Sequence, residues 1–362
     1  MSDSESPESA KQSSVQRRQK MGEAPKSRRR GRLVGAFVLG VVIVLAGLWS
    51  VGAVYWSNLP WVPLRTVAAV VFGLMTLMAL LRRPKRLRPV RLFLVAFVVV
   101  LVWWWLIPPS NGRDWAEEVA VPATATMDGD EVIIFDVRDF DYDSPTEYTP
   151  GYYDRTYDLT KLRTVDFIVS YFGPEPIAHT LLSFGFEGGE YLAISVEVRK
   201  EEGEGYSPLR GLFKQYELIY VVGDERDVIR LRTNFRDERV YVYPTTFTQE
   251  EARALFESMI RRVDKLAEQP EWYNTLTRNC TTSIVEHVHD ASPRRGRYNW
   301  RILLNGFSDE LAYDRGRIAT DLPFAEAKKL HHVDELAKLY GDDPGFSQKI
   351  RAPWLADSRS EG

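Results

Sequence analysis

The one cysteine of the chain, Cys280, lies in the string YNTLTRNCTT, Tyr273 to Thr282, just ahead of Ile284 and Val288. Apolar positions four apart predict a helix over Thr281 to His289, and Asn279 or a neighbouring Thr is a residue type that caps a helix N-terminus. Cys280 would then stand in the first turn. Unpaired backbone N–H groups and the positive end of the helix dipole favour thiolate over thiol there, as in reactive cysteines. A small buried core residue is the other reading of the same position.

A nucleophilic cysteine needs a base, and the chain has five histidines. His287 is seven residues past Cys280, roughly 10 Å along the same helix and out of hydrogen-bonding range. His287 and His289 make half a metal site without a matching cluster, so they read as solvated or capping residues. His331 and His332 sit on a polar helical stretch and read as surface. His179 remains, at the start of HTLLSFGF, followed by the turn Glu187-Gly188-Gly189 and the strand YLAISVEVR. A turn of about three residues sets position 179 opposite position 197 and puts Ser195, Glu197 and Arg199 on one face. Ile194, Val196 and Val198 then face the core. Such a polar row can orient an imidazole as the third member of a Cys-His-polar triad does; an ordinary half-exposed hairpin is the alternative. The expected chemistry is attack of Cys280 on an acyl carbonyl with His179 as base and Glu197 or Ser195 orienting it. N–H groups at the helix start would stabilise the oxyanion, and neither metal nor cofactor is required.

The elements that must position these residues change character along the chain. Segments 131–137, 164–171, 179–186, 191–199, 215–222, 228–233 and 240–244 mix β-branched and aromatic residues between turn signals and read as strands. Gln249 to Glu268 carries apolar residues at Ala252, Leu255, Phe256, Met259, Ile260 and Val263, a helical spacing; 281–289 and 324–340 follow the same pattern. Strands followed by helices predict an α+β fold on a mainly antiparallel sheet. One cysteine in 362 residues excludes an intrachain disulfide, so this domain must fold by its own core.

The N-terminal third is different material. Residues 1–32 hold nine Lys or Arg and almost nothing apolar, which predicts a disordered basic tail. A basic tail directly before an apolar stretch is a topology determinant more readily than a nucleic-acid arm, and no nucleic-acid partner is expected. Leu33 to Trp56 is 24 residues without a charge, Trp61 to Leu81 is 21 with only Arg65, and Leu92 to Ile107 is 16. The first two are long enough to cross a hydrocarbon core about 30 Å thick, and the third needs snorkelling or local thinning. Six basic residues lie between 82 and 91 and none between 57 and 60. That asymmetry predicts a multi-pass bacterial inner-membrane protein with its C-terminal domain outside the cytoplasm.

Two further strings have competing readings. GDERDVIRLRTN, Gly223 to Asn234, alternates charged and apolar residues like a solvated edge strand, although Arg226, Arg230 and Arg232 could also face phosphate head groups. EEGEGYSPLRGLF, Glu201 to Phe213, lacks the spacing of a nucleotide-binding loop and reads as a long hairpin connection of the kind that flanks sites.

The segments IAHTLLSFGF, YLAISVEVRKEEGEGYSPLRGLFKQYELIYVVGDERDVIRLRTN, EWYNTLTRNCTTSI, LLNGFSDELAYDRG and FSQKIR resemble the bacterial family defined by the N-terminal periplasmic domain of Lnb, over residues 113 to 351. The resemblance implies an extracytoplasmic, cysteine-dependent domain of permuted papain-like fold, as in permuted NlpC/P60 and lecithin:retinol acyltransferase-like proteins. The activity class the resemblance implies is that of Lnb itself, lipoprotein N-acyl transfer. The family's blocks map onto His179, onto Ser195, Glu197 and Arg199, and onto Asn279, Cys280, Thr281 and Thr282. Asn279, Thr281, Arg199 and Tyr273 are then candidate substrate contacts. A membrane phospholipid or lipoprotein is the expected partner. A cell-wall peptidase of NlpC/P60 type and a non-enzymatic envelope scaffold are the competing functions. The short connection Pro108 to Gly112 and a C-terminal tail over 352–362 bound the domain.

Overall fold

The apolar stretches of the N-terminal third fold into three helices, α1 (Pro7–Tyr55), α2 (Val62–Leu80) and α3 (Arg88–Leu106). The computed structural model describes residues 7–56, 59, 61–81, 87–292 and 299–355, with side chains in α1 from Arg30 on, Arg32 excepted. The ends expected to be flexible, 1–6 and 356–362, lie outside the described residues, as do much of the turn 57–60 and residues 82–86. The chain divides into two units, 1–108 and 109–362.

Membrane-length portions are Leu33–Tyr55, Val62–Leu80 and Arg88–Leu106, of 23, 19 and 19 residues. At 1.5 Å per residue each is about 28 to 35 Å long, enough for a hydrocarbon core. The third exceeds the 16-residue expectation because its helix begins at Arg88, with Pro89 in the first turn, where a missing N–H costs nothing. Helix α1 extends back to Pro7, into the segment expected to be disordered. That segment is rich in Gln, Lys and Arg, good helix formers that propagate a helix its apolar part has nucleated. Ile43, Phe72, Ala79, Val90 and Phe93 form the small core among the three helices. Gly47 approaches Thr76 so closely that a Cβ would fall 2.4 Å from its methyl carbon, the small-residue contact typical of membrane helices. Phe37, Leu74, Val95 and Trp105 point outward, as a lipid-facing surface requires.

The second unit is α+β. Strands β1 (Thr124–Asp128), β2 (Glu131–Arg138), β3 (Asp141–Tyr142), β4 (Tyr148–Thr149), β5 (Tyr152–Asp158), β6 (Leu162–Tyr171), β7 (His179–Phe186), β8 (Glu190–Arg199) and β9 (Glu217–Asp224) come first. After α4 (Glu225–Arg230) and β10 (Arg239–Pro244) the chain is helical: α5 (Gln249–Glu268), α6 (Cys280–Ala291), α7 (Ser308–Asp314), α8 (Phe324–Leu330), α9 (Asp334–Tyr340) and α10 (Phe346–Lys349). The main sheet runs β1-β2-β9-β8-β7-β6-β10, with β5 also on β2. All its pairings are antiparallel except a short parallel contact of β2 with β9. Helices α5 and α6 cover one face over a core that includes Leu182, Phe184, Ile194, Val196, Phe256 and Ile260. Helices α4, α9 and α10 cover the other, where Ile168, Leu181, Ala193, Val228, Val240 and Phe346 meet.

On that second face Arg351 is fully buried. Its Nε donates to Asp166 Oδ2 at 2.7 Å and its Nη2 to Glu225 Oε1 at 2.6 Å, while the guanidinium stacks on Tyr191. Desolvation forbids either carboxylate from standing alone there.

Two expected elements differ. Segment 228–233, read as an edge strand, is helical: α4 continues into a π-helical turn, Leu231–Phe235. Asp224 caps α4 by accepting from Arg226 N at 2.8 Å, and the acidic residues Glu225 and Asp227 occupy the first turn; together these outweigh the strand propensity of Val228 and Ile229. The expected helix 324–340 breaks at His331–Val333. There the backbone pairs with the exposed edge of β10, through Val242 N to His331 O and Val333 N to Val240 O, both 3.0 Å, and satisfies groups an edge strand would leave open.

Candidate active site

β6 ends, β7 begins, β8 ends and β9 begins at one end of the sheet, and the sequence candidates gather there. Register Leu181↔Ser195 places His179 opposite Glu197, as the turn length predicts. His179, Leu181, Ser195 and Glu197 share the face that meets α4. Cys280 lies on the opposite face, at the first position of α6. His179, at the very start of its strand, bridges the two.

The imidazole Nε2 donates to Ser195 Oγ at 2.7 Å and lies 3.1 Å from Glu197 Oε1; Ser195 Oγ in turn donates to Glu197 Oε1 at 2.7 Å. Arg232 closes the chain of contacts, with Nη2 2.7 Å from the same carboxylate oxygen and Nη1 on the Val228 carbonyl. Nε2 is thereby occupied, which leaves Nδ1 as the ring nitrogen for the thiol. Burial would push the Cys280 thiol up, but the charge and hydrogen bond of His179, followed by hydrogen bonds from the Thr180 backbone and side chain, bring it down to about 6. Burial would push His179 down, yet Glu197 and the Cys280 thiolate raise it to about 9. Burial likewise opposes the Glu197 charge, and His179, Arg232 and Ser195 together hold that carboxyl well below its usual range. Between those two values the stable form is a thiolate–imidazolium pair.

Helix α6 starts where it does because Asn279 and Thr282 form a capping box. Asn279 Oδ1 accepts from Thr282 N at 2.9 Å and Thr282 Oγ1 accepts from Asn279 N at 2.8 Å. The cap takes up those two N–H groups and leaves those of Cys280 and Thr281 as helix-terminal donors beside the sulfur. Asn305, in the turn before α7, adds a side-chain amide: Nδ2 donates to Cys280 Sγ at 3.5 Å, while Oδ1 accepts from Ala178 N at 3.0 Å. One residue thus ties the sulfur to the segment that leads into His179. Residues 148–306 match the family model described as the Lnb N-terminal periplasmic domain. That stretch is similar to an Lnb-type domain. The match runs from β4 to the residue after Asn305 and so contains every side chain of the site. No curated protein and no solved structure matches the chain.

The substrate contacts expected from the family blocks divide. Thr281 is buried, with Oγ1 3.0 Å from Thr180 Oγ1 and 3.8 Å from Cys280 Sγ, so it supports the nucleophile. Tyr273 is buried beside the sulfur and hydrogen-bonded to Tyr206. Asn279 is a cap rather than a substrate contact: both side-chain groups are satisfied internally, Nδ2 by the Thr275 carbonyl at 2.7 Å. Arg199 is engaged elsewhere. Its guanidinium donates to Val119 O, Ala120 O and Asn111 Oδ1 and stacks on Trp115, which clamps the N-terminal segment of the domain. That segment engages from Ser110 and Asn111, ahead of the boundary at 113, and at the other end Trp354 packs on the core beyond 351.

Arg226, Arg230 and Arg232 do not form a head-group patch, since each pairs with an acidic residue of the domain. His287 is not solvated. Its nitrogens bond Tyr220 OH and Ser258 Oγ, both at 2.8 Å, and burial keeps it neutral with a value near 4. His331, read as surface, is buried against Tyr243 and Trp354. Thr180 and Asn305 were not singled out by sequence, and Arg232 only as a possible head-group contact. The only signal for them was their place inside the resembling blocks.

Proposed function

We propose that this is a membrane-anchored, thiol-dependent acyltransferase or acyl hydrolase acting on lipid or lipoprotein acyl chains outside the cytoplasm. The observation that carries the reading is the pair Cys280–His179, with the imidazole held from behind by Ser195, Glu197 and Arg232. The Cys280 thiolate attacks the acyl carbonyl carbon and forms the C–S bond. The carbonyl electron pair moves to oxygen, where the N–H groups of Cys280 and Thr281 and the Asn305 amide are the available donors. As the tetrahedral species collapses, the bond to the ester oxygen breaks and the His179 imidazolium protonates the departing alcohol. His179, now neutral, takes a proton from an acceptor amine or water that attacks the thioester and releases the thiolate. A histidine on a strand followed by a cysteine on a later helix fits a permuted papain-like order, where geometry rather than chain order defines the dyad.

The match to a periplasmic domain family and the three membrane-length helices support acyl chains as substrate over wall peptides. Full-length protein in lipid vesicles containing a lipoprotein should yield an acyl adduct on Cys280 by intact mass, absent from Cys280→Ala. Cleavage of peptidoglycan peptides without any adduct would move the assignment to an NlpC/P60-type peptidase, and neither activity would leave a scaffold.

A further inference from the structure

Exposed apolar side chains are ordinary when scattered over a surface and informative when gathered. Of the eleven exposed large apolar residues described in the soluble unit, seven stand on two loop clusters at the site end of the sheet. One cluster is the β6–β7 connection packed on the turn before α7. Gly306 N donates to Pro176 O and Leu304 N to Trp300 O, and the cluster presents Phe172, Ile177, Trp300 and Leu304. The other is the β8–β9 connection packed on the segment before Cys280. Thr275 N donates to Gly211 O and Thr275 Oγ1 to Pro208 O at 2.7 Å, and this cluster presents Tyr206, Leu209 and Leu276. The clusters flank the nucleophile, since Asn305 belongs to the first and Cys280 follows the second. They are firm: Trp300 sits edge-on against Phe307 at 5.4 Å, and a Cβ on Gly306 would fall 1.7 Å from the Glu175 carbonyl.

The same chain carries three helices of membrane length, and only Ile107 and Pro108 separate the last of them from Pro109, where the second unit begins. Two residues give at most about 7 Å of extended chain. We propose that the two apolar lips around Cys280 sink into the lipid surface, with Trp300 at the headgroup level where indoles settle. The active-site mouth would then open at the acyl–headgroup boundary. An ester-linked chain could reach the sulfur without crossing water, because the apolar rim replaces the water it would otherwise meet.

The lone cysteine makes the test direct. In a Cys280→Ser background, Leu209→Cys, Leu276→Cys and Leu304→Cys are spin-labelled in the full-length chain and reconstituted in phosphatidylcholine–phosphatidylglycerol vesicles. Met127→Cys on the edge strand β1 and Val95→Cys within α3 serve as references. The lip labels should collide with oxygen more often and with a water-soluble nickel chelate less often than the Met127 label, approaching the Val95 label. Nickel-chelate collisions equal to those at Met127 would overturn the proposal, and so would protection from both reagents, which marks a protein contact. With the nucleophile removed, either outcome is separate from the acyl-adduct test.

Discussion

Glu197→Gln keeps the shape of the side chain behind His179 and removes only its charge. Loss of the carboxylate lowers the histidine from about 9, so the falling limb of an activity–pH profile should move to lower pH, while the rising limb near 6 stays with Cys280. The rate of Cys280 alkylation should show a midpoint near 6, against about 8.5 for an ordinary thiol. His179→Ala should shift that midpoint upward. A wild-type midpoint at the ordinary value would remove the ion pair. Three of these residues were legible in advance, because strand period and turn length alone put Ser195 and Glu197 beside His179. Arg232 was not, since alternation around Val228 and Ile229 imitates a strand and only the folded π turn brings the guanidinium back to Glu197. Arg199 shows the converse: it shares a strand face with Glu197, but the N-terminal segment takes its guanidinium.

Elements place the groups around the sulfur, and the turn at Gly306 is the tightest of them. Tyr171 OH donates to the Gly306 carbonyl at 2.8 Å and bonds Asp309, which also pairs with Lys328. Gly306→Ala should therefore displace the turn, withdraw Asn305 from Cys280 and slow acyl-adduct formation. Asn305→Ala should cost about 100-fold in kcat, the scale of a lost oxyanion donor, with the unfolding temperature held. An unchanged rate in the alanine variant would make Asn305 a spacer. Thr282→Ala breaks the capping box and should lower stability by about 1 kcal/mol, measurable by thermal unfolding. Sequence periodicity located α5 to the residue, because Thr248 and Glu251 form a capping box around a strongly amphipathic stretch. It missed β1 and β5, whose exposed polar residues (Thr126, Asp128, Asp154 and Thr156) carry no apolar alternation. Helices α8 and α9 read as one because their interruption is tertiary, made by the edge of β10.

At the scale of the whole molecule, the three apolar segments were legible from uncharged length, while the start of α3 was not, because Arg88 and Arg91 masked its first turn. A phosphatase reporter fused after Gly362 should be active only outside the cytoplasm, the outcome expected if the basic tail and the basic loop stay inside and three spans deliver the rest. Activity of a cytoplasmic reporter at that position would invert the topology. Arg351→Met should destabilise the domain by about 3 to 5 kcal/mol, because it leaves Asp166 and Glu225 buried without their cation. That same arginine lies 185 residues after Asp166. A chain that leaves the ribosome N-terminus first must therefore hold two carboxylates in an unfinished interior until Arg351 arrives. The sheet can assemble during synthesis, but it locks only once residue 351 has been made, so a prematurely terminated product stays loose enough for proteases to clear.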